Sequence, residues 1–158
     1  MSLEPMNEVS IEPARDSDRS EIRNLLTAAG LEDAGLDDHL ATTLLAWRGP
    51  RLVGCAALEL YDGSALMRSV AVHPADQGKG LGLCLVDAML DLARQYDINQ
   101  VYLLTDTANG FFRKFGFDAI DLSHVPADVK QSSEFSMACA QSALVMKVTL
   151  PVEHRPEG

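Results

Sequence analysis

The sequence is short of cysteine, of positive charge and of long apolar runs. Three cysteines occur in 158 residues. Cys55, Cys84 and Cys139 are odd in number and widely spaced, with no Cys-x-x-Cys pair, which argues against a disulfide framework and a thiolate zinc site. A reducing cytoplasm is then the simplest compartment. Thirteen Lys and Arg face 23 Asp and Glu, for a formal net charge of −10 and a pI near 4.7. Such a surface repels polyanions, so no nucleic acid and no anionic membrane is expected as a partner. No apolar run approaches the roughly 20 residues that span a bilayer. Met1–Glu12 is polar and acidic, unlike a secretory leader. Repeats, low-complexity tracts and long linkers are also missing. What remains is an ordinary globular composition, 47% hydrophobic and 23% charged. Its length suggests one domain, residues 1–158, with a core that needs no staples.

One stretch stands out, Arg68–Gly82, RSVAVHPADQGKGLG. Arg68–Val72 reads as a short buried strand with two β-branched valines. His73-Pro74 ends it, because proline has no ladder N–H. Gln77-Gly78-Lys79-Gly80-Leu81-Gly82 then opens a long amphipathic segment. Alternating glycines let backbone approach a ligand closely. The unpartnered N–H groups and positive dipole end of the following helix suit a phosphate or diphosphate. The spacing is neither a Walker loop, since Gly80 follows Gly78-Lys79 with no hydroxyl for magnesium, nor a dinucleotide fingerprint, since Leu83 stands where a third glycine is required. The bland alternative is a helix start with glycines for turning. In an acidic chain an anion must be held locally, and Lys79 beside the glycines supplies charge.

Around that stretch the pattern alternates strand and helix. Val9–Pro13 suits a first strand. Asp16 and Ser17 suit N-caps for a helix carrying Ile22, Leu25, Leu26 and Ala29, ended by Gly30. Leu31–His39 reads as a loop with a short helical turn. Thr43–Arg48 and Arg51–Leu60 flank Gly49-Pro50 as a hairpin, and Ala65–Val72 follows. Gly80–Tyr96 is a helix with Leu81, Leu85, Ala88, Leu92 and Tyr96 on one face. Val101–Thr105 is a continuously apolar strand, completing a right-handed βαβ unit. A short helix over Asp106–Phe115 packs Phe111, Phe112 and Phe115 inward. Phe117–Ile120, a turn near Pro126, and Ser142–Leu150 complete an α+β chain on one mostly antiparallel sheet with a parallel step. Cys55 and Cys84 read as core packing.

Gln-x-x-Gly-x-Gly after a valine strand resembles the acetyl-CoA diphosphate loop of the GNAT superfamily of N-acetyltransferases. Phe112-Arg113-Lys114-Phe115-Gly116-Phe117, with Ala108 before it, is similar to that family's aromatic-x-Lys-x-Gly-Phe ending. The text from RSVAV through YLLT and GFF to Glu134-Phe135 and Cys139 looks most similar to the small acetyltransferases associated with arsenic resistance. The resemblance covers about Val9–Leu150. It implies the GNAT fold: a mixed, mostly antiparallel sheet of about seven strands, helices on both faces, and a splayed fourth and fifth strand. By the same resemblance, Val70, Ala71 and Val72 pair with the pantetheine arm. Gln77, Gly78, Lys79, Gly80, Leu81 and Gly82 hold the diphosphate of acetyl-CoA, the co-substrate. Two positions depart from the pattern. Phe112 stands where many members carry the tyrosine that protonates the leaving thiolate, and Thr105 stands where an asparagine often binds pantetheine.

The chemistry implied is direct attack of a neutral amine on the thioester, with a base or water relay taking the amine proton. A backbone N–H near Val70–Val72 meets the oxyanion. Glu59, in an apolar strand beside the cofactor strand, is the first choice of base, against a solvent-facing glutamate. Arg68, with Ser69 beside it, suits an acceptor carboxylate, against an ion pair with Glu59. Cys139 and Ser142, near the last strand, are candidate donors to the thiolate, and Cys139 also suits a soft metalloid, against a structural role. The acceptor is expected to be a small amine, amino-acid-like or metalloid-bearing. Two alternatives stay open: a non-catalytic acyl-CoA sensor or interaction module, and a peptide or protein N-acetyltransferase. A homodimer is compatible with the fold.

Overall fold

The computed structural model describes residues 9–31, 36–105, 109–132, 135 and 144–150. Seven strands form one sheet in the order β1-β2-β3-β4-β5-β7-β6. They are β1 Ser10–Pro13, β2 Thr43–Arg48, β3 Arg51–Leu60, β4 Ser64–Val72, β5 Gln100–Thr105, β6 Asp118–Ala119 and β7 Leu144–Thr149. The helices are α1 Arg19–Ala28, α2 Leu36–His39, α3 Leu81–Gln95 and α4 Asn109–Arg113. β1/β2, β2/β3, β5/β7 and β6/β7 pair antiparallel. β4 and β5 pair parallel, and their register covers Ser64–Leu66 with Gln100–Tyr102 while both strands continue past it. This is the expected α+β arrangement, with its parallel step across a helix.

The chain groups into two compact units. The first comprises Met1–Ala57 and Ser69–Met89. Its apolar cluster brings Ile22, Leu25 and Leu26 of α1 together with Leu36, Leu40, Leu45, Leu52, Cys55 and Ala71. Each large aliphatic side chain buried there contributes about 1.5–3 kcal/mol. Spacings of three and four put the α1 residues on one face. Gly30, at φ 77, ends the helix as expected. The start differs from the expected cap. A 3-10 turn occupies Asp16–Asp18, so Asp18 is the N-cap, and its carboxylate accepts the Arg15 N–H (2.9 Å) instead of a helical amide. In this unit β3 and α3 approach closely at Gly54, where a Cβ would lie 2.8 Å from Leu85 Cδ1 and 3.2 Å from the Ala71 carbonyl.

The second unit comprises Leu58–Arg68 and Leu90–Gly158. Its cluster joins Leu66, Tyr102 and Val145 of the strands to Val125 and Val129 of the segment after β6, with Tyr61, Leu104, Ile120 and Phe135 around them. That segment carries the expected turn, with the Lys130 N–H donating to the Pro126 carbonyl (3.1 Å).

Two expectations about α3 are corrected. Its buried residues are Leu81, Leu85, Val86, Met89, Leu90 and Ala93, while Ala88 and Leu92 are half-buried and Tyr96 is 47% exposed. The helix is apolar over a wider arc than one stripe, and it stops at Gln95. Cys84 is exposed rather than core, because helical periodicity sets it on the same side as exposed Asp87 and Asp91. Phe112 of the short helix α4 is buried. Phe111 is half-buried and edge-on to both Phe112 and Phe115, and Phe115, just past the helix, is half-buried too.

Candidate functional site

The glycine loop lies in the first unit, between β4 and α3. Ser69 interrupts the end of β4 at φ 56, in the left-handed region that side chains rarely adopt, and its carbonyl accepts the Cys55 thiol (3.2 Å). Of the three residues proposed to meet pantetheine, Ala71 is buried and Val70 and Val72 are half-buried. Burial pushes the Cys55 thiol up to about 12, against a smaller downward pull from a backbone bond at Ala71.

After Val72 the chain turns sharply. The His73 N–H donates to Val53 O (2.8 Å), the Asp76 N–H to His73 O (2.8 Å) and the Ala75 N–H to His73 Nδ1 (3.1 Å). The Gln77 side chain folds back to donate to the Val72 carbonyl (3.1 Å). Gln77, Gly78, Lys79 and Gly80 are exposed. Gly78 and Gly80 have φ values of 82 and 80, and an added Cβ at either would meet nothing within 4 Å. Leu81 then anchors the first turn of α3 in the core, and Gly82 is half-buried beside it. The result is an exposed backbone arch leading into the N-terminus of a 15-residue helix, which presents unpartnered amides and a positive dipole end to an anion.

The second unit holds Glu59, Arg68, Thr105 and Phe112. Glu59 is 2% exposed and Arg68 4%, so Glu59 is not a solvent-facing glutamate of an alternating strand. The two form a buried ion pair through Arg68 Nη1 and Glu59 Oε2, the alternative weighed for Arg68. Tyr61 donates its hydroxyl to Glu59 Oε1 (2.6 Å). Burial, then the bond to Glu59, pushes the Tyr61 phenol above its ordinary value, against a smaller opposing contribution from the Ser132 hydroxyl. Tyr102 is raised too, by burial and then by the Asp128 charge. Phe112 is 7% exposed and sits edge-on to Phe111 and Phe117. Thr105 is half-buried and pairs with Leu144. Ala108, Glu134, Cys139 and Ser142 lie outside the described residues.

Tyr61, Ser132 and Asp76 were not singled out in the sequence. Tyr61 sits two residues beyond Glu59, a same-face spacing along a strand, and that was the available signal. Two surface depressions lie apart from these groups. One is lined by Glu12, Arg15, Trp47 and neighbours, the other by Leu90, Arg94, Phe115, Lys147 and neighbours. Neither contains the glycine loop or Glu59.

Comparison with known proteins came to the same region. The profile of the acetyltransferase (GNAT) domain matches residues 39–119. An amino-acid acetyltransferase of Aliivibrio fischeri (strain MJ11) is 29% identical over 150 residues, covering 87% of this chain and 33% of that protein. The chain thus spans about a third of the length of such relatives. N-acetylglutamate synthase from Neisseria gonorrhoeae, solved with coenzyme A and N-acetyl-glutamate, superposes with a TM-score of 0.79 at 23% identity over 94% of this chain and 36% of that one. A Mycobacterium tuberculosis protein solved in complex with CoA and NLQ gives a TM-score of 0.77 at 26% identity, over 90% of this chain and 99% of that one.

Proposed function

Because the chain belongs to the GNAT acetyltransferase family, we propose that it moves an acetyl group from acetyl-CoA to the amine of a small, amino-acid-like molecule. The observation that carries this is the exposed arch Gln77–Gly80, in which Gly78 and Gly80 hold φ values near 80 with open space beside them, leading into α3. Backbone amides there hold the diphosphate, Lys79 adds charge, and Val70–Val72 offers strand-like hydrogen bonds to the pantetheine arm. The M. tuberculosis neighbour, solved with CoA, supports the co-substrate. The activity named for the Aliivibrio relative supports the acceptor class. The resemblance to the arsenic-resistance branch adds metalloid-bearing amines to that class. No helix among the described residues is long and apolar enough to cross a membrane. The widely spaced, odd-numbered cysteines suit a reducing compartment, and the cytoplasm is the one this proposal takes. A homodimer belongs to the same proposal.

In this mechanism the two reactants are held in line, which supplies much of the acceleration. Glu59 takes up the amine proton through water, and an N–H near Val70–Val72 meets the oxyanion. Phe112 has no proton to give. The thiolate leaves with an unperturbed pKa near ~8.5, taking its proton from water or from Ser142 or Cys139. Arg68 and Ser69 border the acceptor. Because Arg68 is already held by Glu59, an acceptor carboxylate meets the pair rather than a lone cation.

Phe112 also favours a second reading, an acyl-CoA sensor without turnover. Acetyl-CoA with a panel of free amino acids and amines, read by thiol release, separates the two. Turnover is expected. Tight CoA binding with no turnover on any amine overturns catalysis and leaves the sensor, whereas transfer to peptides alone moves the acceptor class to proteins.

A further inference from the structure

Asp76 is 1% exposed although it stands in a surface turn, immediately before the glycine loop. Arg51 Nη2 reaches both of its carboxylate oxygens, at 2.9 and 2.8 Å. Arg48 Nε lies 3.5 Å from the first of them. These arginines flank the Gly49-Pro50 turn between β2 and β3, so a distant hairpin grips the turn that launches the loop. With the three backbone-amide bonds of His73, Ala75 and Asp76 and the Gln77 side chain on Val72 O, residues 73–77 are tied down. The next residues are exposed, and two of them are glycines with open space around them.

We infer that Asp76, gripped by Arg48 and Arg51, is a positioning residue that sets the glycine loop in its anion-receiving shape before the ligand arrives. The inference rests on the acetyl-CoA reading above and adds to it. A loop of glycines loses more conformational freedom on ordering than other sequence, so a fixed launch point lowers what the ligand must pay in entropy. An ion pair whose arginine is half exposed contributes little to net stability, and what it supplies to the turn is geometry.

Charge gives a competing explanation, and it points the other way. Two guanidiniums on one carboxylate leave a net positive charge beside the loop. If charge were the device, Asp76→Asn would raise that charge and tighten binding. If order is the device, Asp76→Asn loosens the loop and weakens binding.

The test is calorimetric titration of the full chain with CoA at low and at high salt, with hydrogen exchange on the ligand-free protein. Asp76→Asn and Arg51→Gln are each expected to weaken CoA roughly fivefold or more through lost preorganisation. The loss in Arg51→Gln persists at high salt, where a charge effect fades. Arg51→Lys, which keeps charge but loses the fork, falls between. In both weakened variants the amides of residues 77–80 exchange faster, while those of α1 do not change. CoA binding as tight as the parent's in Asp76→Asn, or a loss in Arg51→Gln that vanishes with salt, overturns the inference. If Asp76→Asn does not fold, Arg51→Gln decides alone, since its guanidinium is half exposed. If the parent fails to bind CoA, the acetyl-CoA reading falls, and the exchange rates still decide whether Asp76 orders the loop.

Discussion

Tyr61 donates its hydroxyl to one oxygen of Glu59 at 2.6 Å, and Arg68 holds the other oxygen of the same carboxylate. Both members of the ion pair are almost wholly buried. Taking one away leaves an uncompensated charge, whereas replacing both with apolar groups of similar size is often neutral. Stability and chemistry at Glu59 can therefore be separated by a pair of variants.

Glu59→Gln is expected to lower acetyl transfer by about 10²–10⁴, the range for a lost general base, with CoA affinity unchanged. It also weakens a buried pair, for which removal of a partner costs about 3–5 kcal/mol. Glu59→Met with Arg68→Met, apolar at both positions, regains much of that stability and none of the activity. Urea midpoints and thiol-release rates check both halves, and a fully active Glu59→Gln takes Glu59 out of the mechanism.

Gly80→Asp places a side chain and an anion on the exposed arch where phosphate is proposed to lie. Space is open there, but at φ 80 any side chain strains the backbone, so Gly80→Ala, which carries the strain without the anion, is the reference against which binding is read. CoA affinity drops about tenfold or more, comparable to one or two lost charge-assisted contacts. Unchanged affinity by calorimetry removes the diphosphate from this loop.

Gly54→Ala drives a methyl group to 2.8 Å from Leu85 Cδ1 and 3.2 Å from the Ala71 carbonyl. Leu85 is fully buried, so it has little room to retreat, and overpacking of this kind costs about 1–3 kcal/mol. The same substitution in a Leu85→Ala background costs less, with a coupling energy of about 0.5–3 kcal/mol. Equal costs in both backgrounds would mean that α3 does not constrain Gly54.

The Cys55 thiol supplies a pH test. Burial raises it from 9.0 to about 12 in the folded chain. Above pH 9 the unfolded chain sheds this proton while the folded chain keeps it. The contribution is whole below about pH 9 and is lost as the pH climbs towards 12. Urea midpoints over that window fall more steeply for the parent than for Cys55→Ala. Parallel curves would show that the thiol ionises as readily folded as unfolded.

The loop was legible because its signal is local. Alternating glycines between a valine strand and a long amphipathic helix leave few structural options. The strands and helices around it followed from periodicity for the same reason. The buried face of α3 was misjudged where periodicity is weakest, since a helix carrying Val86, Met89, Leu90 and Ala93 as well as Leu81 and Leu85 has no narrow stripe to read. Asp76 was invisible as anything but a turn residue, because its burial depends on two arginines some 25 residues earlier in the chain. Nothing local to Tyr61 in the chain shows its hydrogen bond, because it takes the folded hairpin to carry its hydroxyl back to Glu59.

The strand order has a consequence for synthesis. β7, which follows both β5 and β6 in the chain, lies between them, and its pairing with β5 runs the whole length from Gln100 to Thr105. Until Leu144–Thr149 leave the ribosome, that flank of Val-Tyr-Leu-Leu is an open edge able to template pairing with another nascent chain. A ribosome stalled before residue 144 holds that edge open, so the interval between the making of β5 and of β7 is when pairing with a second nascent chain competes.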